Sequence, residues 1–77
     1  METIEIKRGM SFETLDNTLL VVRQVGKNIV VFCEFAYNDV TGEYDILINE
    51  NRIMTAEEIK VELYRSFGKN YKVKLIK

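Results

Sequence analysis

The sequence predicts an α+β domain. The expected form is a small, strongly curved antiparallel sheet or half-barrel of five to six strands with one helix in the C-terminal half, in the order βββββαβ. Three observations predict it. Thr18–Val25 and Ile29–Tyr37 are rich in β-branched and aromatic residues and are separated only by Gly26-Lys27-Asn28, as in a hairpin. Short alternating segments lie on both sides of that ribbon. One helix signature, with its own start and stop signals, begins at Thr55.

Taken in order, Thr3–Lys7 alternates with Ile4 and Ile6 on one side, and Gly9 permits a bend. Met10–Leu15 can form a second strand carrying Met10 and Phe12, and Asp16-Asn17 is a turn signal. Gly26 is expected to supply a positive φ in a tight hairpin. Two registers are open. A Gly26-Lys27 turn sets Arg23 against Val30, Val21 against Phe32 and Leu19 against Glu34. A longer loop sets Val21 against Cys33 and Leu19 against Phe35.

Asn38–Glu43 has loop chemistry. Tyr44–Asn49 reads as a strand, Glu50-Asn51 as a turn, and Arg52–Met54 as a brief return to pairing. Thr55-x-x-Glu58 is a capping box, with Met54 and Ile59 placed as a hydrophobic staple. Ala56, Ile59, Leu63 and Phe67 form an apolar stripe, and Gly68 suits the C′ position. Tyr71–Ile76 alternates, with Tyr71, Val73 and Leu75 inward and Lys72 and Lys74 outward.

Seventy-seven residues make one domain, 1–77. A chain of this size buries only about 60–65% of its unfolded surface, so its own core is marginal. Small domains often add disulfides, metal or self-association. Cys33 is the only cysteine and histidine is absent, so an intrachain disulfide is impossible and the commonest ligand of a structural zinc site is missing. No apolar run approaches the ~18 residues of a membrane helix. The acidic Met1-Glu2-Thr3-Ile4-Glu5 start is unlike a signal peptide. Together with a lone thiol, this gives the expectation of a cytoplasmic protein.

The formal net charge is −1, which does not advertise nucleic acid or membrane. The charge is uneven: Glu34–Glu58 carries seven acids against Arg52, and Ile59–Lys77 carries six bases against Glu62. The acidic stretch reads as a solvated face. The basic tail places Lys69, Lys72, Lys74 and Lys77 beside Tyr71, a candidate nucleic-acid contact. Outward lysines also protect an edge strand, the preferred reading here.

No catalytic, cofactor or metal constellation is visible. Cys33 has no histidine to activate it and reads as a structural thiol. Asn38–Asp45 fails as a calcium loop, because Tyr37 and Ile48 would fall where acidic ligands are required. The single glycines form no phosphate cradle.

What stands out is that both faces of the central ribbon are apolar, whereas a sheet with one wet face alternates. Something must cover the second face. Leu19, Val21, Arg23, Val30, Phe32 and Glu34 are therefore the expected partner or dimer surface. The expected function is a noncatalytic protein-binding module that self-associates into a homodimer. The alternative is a nucleic-acid-binding module using the basic C-terminal segment. No small-molecule substrate is evident.

Gly9-Met10-Ser11-Phe12, Thr18-Leu19-Leu20-Val21-Val22, Asn28-Ile29-Val30-Val31 and a late helix resemble small SH3-like proteins of phages and mobile elements of low-GC Gram-positive bacteria. In those, a glycine-led strand precedes a V-V-x-x-V strand and a further apolar strand. The resemblance implies an SH3-like half-barrel and a cytoplasmic accessory protein, a regulator or inhibitor of a host system that acts by binding. The Tyr71–Ile76 strand departs from the pattern, and no functional residue carries over.

Overall fold

A computed structural model describes all residues, Met1–Lys77. The elements are β1 (Glu2–Ile6), β2 (Ser11–Glu13), β3 (Thr18–Val25), β4 (Ile29–Asn38), β5 (Glu43–Thr55), α1 (Ala56–Phe67) and β6 (Tyr71–Leu75). The order βββββαβ and the α+β class agree with expectation. The architecture is an open four-stranded antiparallel sheet, β2-β3-β4-β5, and a separate two-stranded sheet, β1-β6. No barrel closes. The small sheet is parallel, with Ile4 opposite Val73 and Ile6 opposite Leu75, rather than a continuation of the hairpins. Parallel partners require a long crossover, and here the large sheet and the helix supply it.

Register decides which face each residue occupies. Leu19 pairs with Phe35 and Val21 with Cys33, as in the longer-loop alternative. The register then shifts at Arg23, so that Gln24 meets Val31 and Val25 meets Val30. Gly26 is not among the positive-φ glycines, contrary to the sequence expectation. Its N–H donates to the Ile29 carbonyl at 2.7 Å, and an added Cβ would lie 3.1 Å from the Ile29 side chain. A side chain at this position would crowd Ile29, so glycine eases the close approach.

β5 is one long strand where the sequence suggested two strands and a turn. Register shifts against β4 absorb the Glu50-Asn51 signal and recur near Ile48 and Asp45. Bulges bend a strand and increase its twist, which curves this sheet without closing it. The β4–β5 hairpin extends past the other strands as an arm, and the molecule measures 38 × 25 × 16 Å.

One core lies on the inner face of the large sheet. Leu20, Val22, Val30, Phe32 and Met54 meet Ile6 from β1 and Ile59 and Leu63 from α1. Phe12 packs edge-on against Phe32, with ring centroids 5.7 Å apart. Helix α1 starts where the sequence places it. The Thr55 side chain accepts from the Glu58 N–H at 3.2 Å, and the Glu58 carboxylate accepts from the Thr55 N–H at 3.0 Å. Gly68 closes the helix at φ 68°. Thr55→Ala is expected to cost about 1 kcal/mol, measured by urea unfolding. The buried stripe differs from expectation. Phe67 is exposed and Glu62 is buried, with Arg65 donating to its carboxylate at 3.3 Å.

Candidate sheet-face interface

Residues directly paired across strands project to the same side. Rows across the outer face of the large sheet therefore read Glu13–Leu19–Phe35–Leu47, Ser11–Val21–Cys33, and Gln24–Val31–Ile53. Leu19, Val21, Val31, Cys33 and Phe35 are only partly buried, and Leu47 and Ile53 are about half exposed. The helix and the small sheet pack on the opposite face. The result is an apolar surface that no other strand or helix of the chain covers.

The sequence-derived surface divides between the two faces. Leu19, Val21 and Arg23 belong to the outer face. Val30 and Phe32 do not, since both are fully buried in the core. The short-turn register that put them beside Val21 is wrong by one residue, and such a slip exchanges faces. Glu34 also points inward, where it accepts from Arg52 at 2.7 Å and from the Thr18 hydroxyl at 3.4 Å. Thr14 and Thr18 extend this network through hydroxyls 2.8 Å apart. It closes the end of the core nearest the arm, and its partnered groups avoid the cost of buried unsatisfied ones.

Phe35, Leu47 and Ile53 complete the outer face and were missed in the sequence. The usable signal was the run Ile46-Leu47-Ile48, three consecutive apolar residues in a strand. Such a run requires either cover on both sides or a bulge.

Arg23 sits at the β3 bulge. Its guanidinium donates to the Asn51 side-chain oxygen and, at 3.5 Å, to the Glu50 carbonyl. Those residues are on β5, so the side chain crosses β4 above Cys33. The Cys33 thiol donates to the same Glu50 carbonyl at 3.6 Å. Arg23 pairs with no carboxylate. At the arm end, Tyr37 and Tyr44 meet edge-on with centroids 5.4 Å apart. The Tyr44 hydroxyl donates to the Asn17 side-chain oxygen at 3.5 Å.

Desolvation, then the Glu13 carboxylate and its hydrogen bond, then Tyr37, raise the Tyr44 hydroxyl above its usual value, which is about 10. The fold thus favours the neutral phenol. That contribution is complete below the unfolded value and is lost as pH rises through the raised folded value. In an alkaline absorbance titration, Tyr44 should be late to ionise. Tyr44→Phe should remove the late component, and Glu13→Gln should move it to lower pH.

In the basic segment the aromatic residue and the lysines lie on opposite sides of β6. Tyr71, Val73 and Leu75 pack against the core, while Lys72 and Lys74 are exposed. Lys74 lies opposite Glu5 in the parallel register, and Lys69 is 3.4 Å from the Glu2 carboxylate. Acids of β1 thus offset lysines of β6. Lys77 lies apart, lining a cleft with Arg8, Arg23 and Ile76. No helix is long and apolar enough to cross a membrane.

Comparison with protein families, curated proteins and solved structures finds no match to this chain. The geometry defines an α+β domain whose large sheet carries one packed and one open apolar face.

Proposed function

We propose that this protein is a noncatalytic binding module whose protein partner docks on the outer face of β3-β4-β5. One observation carries this reading. Leu19, Val21, Val31, Phe35, Leu47 and Ile53 form an apolar surface that no other strand or helix of the chain covers and that the Arg23 side chain crosses. Contiguous apolar patches of this kind mark interaction sites. An accessory role, regulating or inhibiting a host system by occupying a surface, follows from the resemblance to small SH3-like phage and mobile-element proteins, and a cytoplasmic setting goes with it.

The test uses Val21→Asp and Phe35→Asp, which alter the outer face and leave the core side chains in place. Both variants should keep the wild-type circular dichroism and lose every protein, including other copies of this chain, that immobilised wild type retains. Retention by the variants would refute the assignment. The nucleic-acid alternative has its own readout: a low-salt gel shift abolished by Lys72→Glu with Lys74→Glu would replace the protein-binding reading.

A further inference from the structure

We propose that the cleft between the β1–β2 turn, the end of β3 and the segment after β6 binds a small molecule through a phosphate monoester, with Arg8 and Lys77 on the phosphate oxygens. The inference does not rest on the protein-binding reading above.

Backbone bonds bring three distant segments to one place. The Met10 N–H donates to the Lys7 carbonyl at 3.2 Å, and Gly9 supplies φ 91° to this turn, so Arg8 stands at its corner. The Gly9 N–H donates to the Val22 carbonyl at 2.9 Å, which sets Arg8 beside the end of β3. The Ile76 N–H donates to the Ile6 carbonyl at 2.9 Å, which sets Lys77 beside the start of the same turn. Between them lies a cleft of about 410 Å³, lined by Arg8, Arg23, Gln24, Val25, Ile76 and Lys77.

Charge distinguishes this cleft, since volume does not. Two others, of about 400 and 330 Å³, both contain Glu57, and the smaller adds Glu58 and Glu62. Here three cationic side chains meet no acidic one, and none of the three is in an ion pair. The acid nearest to Arg8 along the chain, Glu5, lies opposite Lys74 in the β1–β6 register. A chain of net charge −1 thus concentrates positive charge in one concavity. Such a concavity focuses the field and draws anions. The Arg23 guanidinium donates to Asn51 and Glu50 on β5. It therefore adds to the field and leaves direct contact to Arg8 and Lys77.

The lining selects the kind of anion. A phosphate monoester carries a charge of about −1.5 to −2 at pH 7 and three acceptor oxygens, which two cations match. A diester carries a single charge and leaves one cation without a counterpart. Hydrogen bonds from Arg and Lys to phosphate are charge-assisted and stronger than neutral ones. The half-buried Val25 and Ile76 offer an apolar wall to the rest of the molecule, and Gln24 offers a neutral amide. Small-molecule sites span about 300–1,000 Å³, a range that includes this cleft. Arg8 and Lys77 are exposed, so affinity is modest, with saturation at roughly millimolar ligand.

The test is a titration of the full chain followed by amide chemical shifts, with adenosine 5′-monophosphate as the probe. Shifts should saturate and centre on Arg8, Gln24, Val25 and Ile76. Adenosine should give none, and the cyclic 3′,5′-diester should bind at least fivefold more weakly. Affinity for the monoester should fall between pH 7 and pH 5, because its second ionisation lies near pH 6. Arg8→Glu and Lys77→Glu should each weaken binding at least tenfold with unchanged circular dichroism. Lys72→Glu makes the same change in net charge on the exposed side of β6 and should leave affinity within twofold. Equal binding of adenosine overturns the phosphate as anchor, and equal binding of the cyclic diester overturns the choice of a monoester. Shifts that do not saturate, or that centre on Lys72 and Lys74, overturn the cleft as the site, as does wild-type affinity in Arg8→Glu.

Discussion

Phe32→Ala is expected to remove about 3–5 kcal/mol of folding stability. Phe32 is fully buried on the inner face, between Val22 and Arg52 in register and edge-on to Phe12. Truncation leaves a ring-sized void among residues fixed by two sheets and a helix, which can relax only in part. At roughly 0.05–0.15 kcal/mol per residue, a 77-residue chain holds roughly 4–12 kcal/mol in total. This one change therefore consumes much of the margin, and urea unfolding followed by circular dichroism should show a large drop in midpoint. Phe35→Ala is the informative contrast. Phe35 lies three residues further along the strand, on the outer face and only partly buried. Its truncation should cost the monomer far less. A reversed order of the two effects would show that the faces are assigned the wrong way round.

That contrast marks where sequence reading stopped. Helix α1 was legible to the residue because its signals are local: Thr55, Glu58 and Gly68 act within a turn of where they stand. The β3–β4 ribbon was legible from composition and alternation. Its register was not. Register depends on a loop in which the Gly26 amide bonds to Ile29, and on a bulge at Arg23. Neither has a signature in residue type. The same shift sent Val30 and Phe32 to the core and left Val21 outside. Hence a doubly apolar ribbon could be read correctly while half of its exposed residues were misassigned. Glu50 and Asn51 gave a turn signal that the long β5 strand absorbs as an irregularity. The parallel β1–β6 pairing was out of reach because it joins the two ends of the chain, and alternation at each end is equally compatible with antiparallel neighbours.

Ile6→Ala tests what that pairing contributes, and the expected cost is about 2–5 kcal/mol. An isolated two-stranded ribbon is marginal in water at best. β1 and β6 persist because Ile4, Tyr71, Val73 and Leu75 pack on the same core that holds Ile6, Ile59 and Leu63. Ile6 is fully buried, and its carbonyl accepts from the Ile76 N–H at 2.9 Å. Its backbone thus belongs to the β1–β6 pairing while its side chain enters the core shared with the large sheet. If the two sheets fold as one unit, the loss must appear everywhere. Amide exchange should accelerate by the same factor at Val73 in β6 and at Cys33 in β4, a factor of roughly 30 to several thousand for that free energy. Faster exchange in β1 and β6 with unchanged protection in β3 and β4 would mean that the small sheet is a separate layer that opens alone. The inner face of the large sheet would then need a different account of what keeps it dry.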